Sequence, residues 1–364
     1  MRHDFSVSMT LALSDYRLLR QLNNHLATGK LLAESESPLI AGTCSVANYA
    51  LAKARSRYTS EPERLKCVIS ASSKVNALAV WGVAQNDWIV LSSGLLERLR
   101  ETSVATFQHI LDDWSILETQ LGRSLAAQAP LGGFESPFAA MLYVSAVSFF
   151  IGHEAGHHLE GHDGYYQVGA VAELLDGEAT GSERQSLEFF ADAHGVSMSR
   201  QITTAFLLEV VDVRNFSVAE RTEFQKVLAM LISLGIFLSI SALDPRSVDL
   251  ASIQSRSHPP SSVRALWISS LLTDAIKGAF HNLQVKDLRR IRLQALEWAA
   301  EASITPGTDA ARIYEAREAA AEPRALRAVG IRRALYDPNL RAYLRSIREI
   351  GKLLRPRLRP RYVE

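Results

Sequence analysis

Apolar residues recur at two different spacings along this chain, and the change between them divides it. Leu11, Leu13, Tyr16, Leu19 and Leu22 fall at helical spacing, and residues 8–58 read as mostly helical. From about Leu65 the period shortens. Cys67-Val68-Ile69, the stretch Val75 to Val83, and Trp88-Ile89-Val90-Leu91 are β-type runs with a turn signal at Asn86-Asp87. A small sheet with a hairpin is therefore expected over 66–92. Gly94-Leu95-Leu96 opens a helix to about Arg100, and 103–122 is a further helical stretch. Ala126 to Pro137, rich in Gly, Pro and Ala, reads as a loop. A strongly apolar helix is expected from near Phe138, ended by Gly161, Asp163 and Gly164. After a mixed segment, 163–181, Ser182 to Gln185 fits a capping box and starts a new helix. Beyond 200 the chain reads as helices punctuated by Pro245, Pro259-Pro260, Pro306 and Pro338. The predicted fold class is α+β, mainly α. An N-terminal helical segment spans 1–65, a domain with the small sheet spans 66–275, and a C-terminal helical extension with a basic tail spans 276–364.

Composition adds little to this pattern. The hydrophobic share of 47% and the charged share of 22% over 364 residues are those of a chain that builds a globular core. A formal net charge of +1 gives no global field that calls for nucleic acid or a membrane surface. Two cysteines, Cys44 and Cys67, make no disulfide framework, and free buried thiols in a reducing, cytoplasmic setting are the expectation. Phe5 to Leu13 is short and broken by serines, unlike a signal peptide. Val227 to Leu243 carries no charge but falls short of the roughly 20 residues a spanning helix needs. A buried core helix is expected there, with membrane association as the alternative. The tail from Arg341 to Arg361 is basic. It reads as a solvated terminus, or else as an anchor for an acidic partner, nucleic acid or membrane.

The chemistry concentrates in two short segments. His153-Glu154-Ala155-Gly156-His157 fits H-E-x-x-H. Residues four apart share a helix face, so both imidazoles can reach one metal ion. Glu154 follows the first ligand, where its carboxylate can take a proton from a water activated by zinc. Glu188-Phe189-Phe190-Ala191-Asp192 supplies a third ligand, Glu188, and four residues on an acid, Asp192, to accept from the free nitrogen of a ligand histidine. His162 and Asp163 are the competing third ligands. His158 points about 100° away from His157, and His194 reads as structural. Ser257-His258-Pro259-Pro260, followed by Arg264, is a helix-initiating turn that could also present His258 and Arg264 to an oxyanion.

Taken in order, these pieces resemble the gluzincin metallopeptidases of the HtpX and CAAX-prenyl-protease group. Asn76-Ala77-Leu78-Ala79, Ile89-Val90-Leu91 with Gly94-Leu95-Leu96, the two zinc segments and Ser257 to Arg264 carry the resemblance, in patches over about half the chain. It implies a zincin-like domain holding one zinc ion through His153, His157 and Glu188. It implies Glu154 as general base, Asp192 orienting a zinc histidine, and His258 and Arg264 stabilising the oxyanion. Asn76 to Ala79 would be the cleft's edge strand, to which an extended substrate adds. The implied activity is a zinc-dependent endopeptidase acting on a protein or peptide. The alternative is a latent or inactive zinc-containing regulatory module that needs a partner. The chain departs from membrane members in lacking clear spanning helices and in its long gaps from Leu96 to His153 and from Asp192 to His258. In these respects a soluble relative akin to the Lit-type phage-exclusion peptidases is a looser analogy.

Overall fold

The computed structural model describes residues 30–57, 61–83, 85–110, 133–163, 181–243, 261–280, 282–302 and 338–358, with Arg20 and Pro259. Within these residues three strands, β1 (Leu65–Ser70), β2 (Ala77–Val83) and β3 (Asn86–Ser92), form one sheet in the order β1-β3-β2. β1 and β3 are parallel, and β2 and β3 form the expected hairpin, with Leu78 opposite Val90. Residues 30–32 flank the far side of β1, through Leu32 N–H to Ile69 and Ala71 N–H to Lys30. Among the described residues no strand pairs with the outer side of β2, and Ala77 to Trp81 are buried. The strand begins at Ala77. Asn76 stands just ahead of it, held by Ser92 Oγ and accepting from Ala77 N–H.

The described residues also form eight α-helices, of which the first three pack on the sheet: α1 (Pro38–Arg55), α2 (Ser93–Ile110), α3 (Pro137–Leu159), α4 (Gly181–Val210), α5 (Val218–Leu243), α6 (Ser261–Ala279), α7 (Val285–Ala302) and α8 (Pro338–Leu354). The mainly helical α+β class is as the pattern predicts. Three boundaries differ. Residues 30–33, expected in the first helical stretch, run extended beside β1, and Asn86-Asp87, expected as the turn, begin β3, with Gln85 at φ 64° just before them. The two helices expected either side of Arg100 are one continuous α2. Thr102, Ser103 and Thr106 break the apolar pattern there, yet they are buried, and Thr102 Oγ1 returns to the carbonyl of Arg98. The parts of the expected 8–58 and 103–122 helical stretches that are missing from the ranges above, the 126–132 part of the loop and nearly all of 163–181 lie outside the described residues.

α3 is the hub. Ser136 caps its N-terminus by accepting from Ala139 N–H, and Pro137 occupies the first turn. Phe138, Met141, Leu142 and Phe149 face a helical core shared with α5, α6 and α7. Its other sides, including Tyr143, Val147 and Phe150, face a second core with α1, α2 and the sheet. Burial on all sides explains why α3 shows no polar stripe. α5 is likewise enclosed. Both helices are long and apolar enough to cross a membrane by length and composition, and both are mostly or wholly buried inside the fold.

Candidate metal centre

α3 and α4 lie unusually close. A Cβ on Gly152 would come within 2.4 Å of Met198 Cβ, and one on Gly156 within 2.9 Å of Ala191 Cα. No larger residue fits at either place without movement. This close approach sets His153 and His157 of α3 against Glu188 and Asp192 of α4.

The donor atoms converge. His153 Nε2 and His157 Nε2 are 3.2 Å apart. Glu188 Oε2 is 3.3 Å from His153 Nε2, and Glu188 Oε1 is 3.4 Å from His157 Nε2. Bonds of about 2.0–2.1 Å at tetrahedral angles place ligand atoms roughly 3.3–3.4 Å apart. The three groups therefore fit a single metal ion, and all are buried. Glu154 is buried beside them, and its Oε2 has no hydrogen-bond partner among the described residues. A buried orphan carboxylate oxygen next to three converging donors suits a water held by a metal.

Protonation is arranged to match. His153 Nδ1 lies 2.9 Å from Asp192 Oδ1 and 3.0 Å from Arg264 Nη2. Arginine only donates, so the bond is Nδ1–H to the carboxylate, and the guanidinium is close because it shares the same oxygen at 2.5 Å. That tautomer leaves the Nε2 lone pair for a metal. Arg264 Nε adds 2.9 Å to Asp192 Oδ2, and Trp267 Nε1 adds 2.6 Å. Burial alone would raise the Asp192 carboxyl, but the Arg264 charge and these bonds hold it below the ordinary range. Burial and Arg264 oppose a proton on His153, yet its bonds to Asp192 and Glu188 prevail and lift it to about 10. The surrounding carboxylates favour a cation at this point, proton or metal. Burial lifts Glu154 to about 7, with His153 opposing and Glu188 adding.

His162 takes a different place from that of a competing ligand. Gly161, at φ +68°, ends α3 in the left-handed conformation. Its N–H bonds back to His158, and that of His162 to His157. This paired ending is a Schellman motif, and it folds His162 under His157. The two Nδ1 atoms are 2.6 Å apart. Burial drives His157 well below the ordinary histidine range and His162 down to about 3, so both rings are neutral. With the His157 Nε2 lone pair facing the metal position, His157 Nδ1–H donates and His162 Nδ1 accepts.

Of the other expected site residues, Arg264 is committed to Asp192 and His153 rather than aimed at open space, and it stands 3.9 Å from Glu188. His258 lies outside the described residues. Asp163 is not among the converging donors. His194 pairs with Glu160 at 2.8 Å, a structural contact. His158 donates Nε2–H to the Trp88 carbonyl and packs edge-on against Trp81, tying α3 to the sheet. Ala77, Leu78 and Ala79 lie on the outer strand β2 and are buried. Spacing did not reveal the roles of His162 and Trp267. The signal for His162 was the glycine four residues after His157.

In comparisons with known proteins, no family model, no curated protein and no solved structure matched the chain.

Proposed function

We propose that this protein is a zinc-dependent endopeptidase of the gluzincin type. The observation that carries the reading is the convergence of His153 Nε2, His157 Nε2 and the Glu188 carboxylate at 3.2–3.4 Å, with Glu154 buried alongside. Two imidazoles and one carboxylate leave a fourth position open, the donor set of a catalytic rather than a structural zinc site. Zinc, when bound, supplies Lewis acidity and lowers the pKa of a water molecule. Glu154 receives the proton of the attacking water and returns it to the leaving amine. Asp192 holds His153 in the Nδ1–H tautomer, Arg264 and Trp267 hold Asp192, and His162 holds His157. The outer side of β2, which no described strand pairs, takes an extended peptide as a further strand once that buried side is uncovered. The late His258 is assigned to the oxyanion on the resemblance alone. Both cysteines are free, in accord with the cytoplasmic placement we propose.

A latent form of the same enzyme is favoured by one further observation. His153, Glu154, His157 and Glu188 are only 2–5% exposed. A peptide reaches them after the cleft opens, and a partner that stabilises the open form would act as activator.

The test is elemental zinc analysis of wild type and Glu188→Ala after equilibration with zinc. One zinc per wild-type chain and a much weakened site in the variant are expected. A folded wild type that takes up no zinc would sink the proposal. Activity is tested by Glu154→Gln, which should keep its zinc and lose hydrolysis.

A further inference from the structure

The whole-chain charge of +1 conceals a strong segregation. Residues 338–364 contain eight basic and two acidic residues, so 1–337 carry a net −5. The basic groups are also ordered. Arg341, Arg345, Arg348, Lys352 and Arg355 follow one another at intervals of four, three, four and three, along α8 and into the 3-10 turn Arg355–Arg357 after it. That spacing drifts by only about 20° per heptad, so the five lie on one face of the helix. All five are exposed. At 1.5 Å per residue the stripe is about 21 Å long.

The neighbouring face of α8 is packed against the body of the protein, and at its edge Arg348 sits over the Phe189 ring of α4, 5.5 Å from the centroid, while Arg355 acts on Glu160. Ser186 Oγ donates to the Ile347 carbonyl at 2.8 Å. Leu354 and Leu358 pack with Leu187, and a Cβ on Gly351 would meet the Phe190 ring at 2.9 Å. The cationic face is thus carried on a helix anchored to α4. Its one acid, Glu349, is bonded to Lys352.

We infer that this face binds the phosphate backbone of a nucleic-acid duplex, without base readout. Four of the five cations in the stripe are arginines, whose planar fork suits phosphate. A regular row of cations matches a regular row of anions, one phosphate per about 3.4 Å of axis on each strand. A bilayer is the poorer match. The apolar side of α8 is occupied by α4, and Leu353 is the one large apolar side chain on the helix that is strongly exposed. Single strands are read by stacking on exposed aromatics, and Tyr343, the helix's aromatic residue, is half-buried. The inference does not depend on the metal site.

The experiment is fluorescence anisotropy of the full chain with a labelled duplex of about 30 base pairs, titrated at salt from about 50 to 200 mM. Four or five phosphate contacts give a slope of log K against log salt of about −4. Arg341→Gln/Arg345→Gln should make that slope shallower by about 1.8 and weaken binding at low salt. Both residues are exposed, and an unchanged melting temperature shows that the variant is folded. Absence of salt-dependent duplex binding overturns the inference. So does an unchanged slope in the variant. Binding to vesicles containing phosphatidylserine but not to the duplex overturns it in favour of a membrane surface.

Discussion

Asp192 is a fully buried carboxylate that receives His153 Nδ1–H, Arg264 Nε–H and Nη2–H, and Trp267 Nε1–H. So many donors on one anion fix its position, and through it the plane of the His153 ring. Asp192→Asn removes the charge that holds Arg264 and weakens the acceptor for His153. Its zinc affinity, measured by competition with a fluorescent chelator, should fall about 10–100-fold. His162→Ala should cause a loss of the same order by freeing the His157 ring, whereas the same change at His194, which pairs with Glu160, should leave affinity unaltered. An unaltered affinity in His162→Ala would show that the 2.6 Å contact does not orient the ligand. His153, Glu154, His157, Glu188 and Asp192 were legible in the sequence because helical geometry alone puts residues four apart on one face. The partners were not. His162 is reached only through a chain reversal, and Trp267 only because α6 crosses α4, which no local spacing records.

The seam between α3 and α4 depends on absent side chains. Gly152 and Gly156 face Met198 and Ala191, and Gly195 faces the Phe149 ring, where a Cβ would sit at 2.8 Å. Because Ala191 meets Gly156 through backbone, little can yield. Gly156→Val should therefore destabilise the fold by at least the roughly 1–3 kcal/mol typical of overpacking, read from urea midpoints. It should also weaken zinc, since the ligands sit on both helices. The elements themselves were largely legible. The three strands, the start of α3 near Phe138 and its end at Gly161 followed from period and punctuation. The continuity of α2 did not, because Thr102, Ser103 and Thr106 are polar groups buried in a helix. The closeness of α3 and α4 was also hidden, since a glycine reads locally as a weak helix former.

Across the whole molecule, a metal held at this site would link two cores. α3 borders the sheet on one side and the helical layer on the other, and α4 supplies the third ligand. A ligand bound only by the folded state adds about 4 kcal/mol when present at about 1,000 times its dissociation constant. Zinc should thus raise the melting temperature, and a chelator should lower it by the same step. A melting curve indifferent to both would mean that the site binds no metal with useful affinity. The charge of the whole chain and the basic tail from Arg341 to Arg361 were both readable at once, but the seating of those cations along one side of a helix anchored to α4 was not. The seating of α8 on α4 has a consequence for the order in which the protein is made. Ser186 and Ile347 are 161 positions apart. During translation Leu187 and Phe190 leave the ribosome long before the residues that cover them. Until then the helix bearing Glu188 presents an apolar strip to its surroundings, and closure over so long a loop is slow. A chain halted before Pro338 would keep that strip bare, so unfinished copies should clump or recruit chaperones.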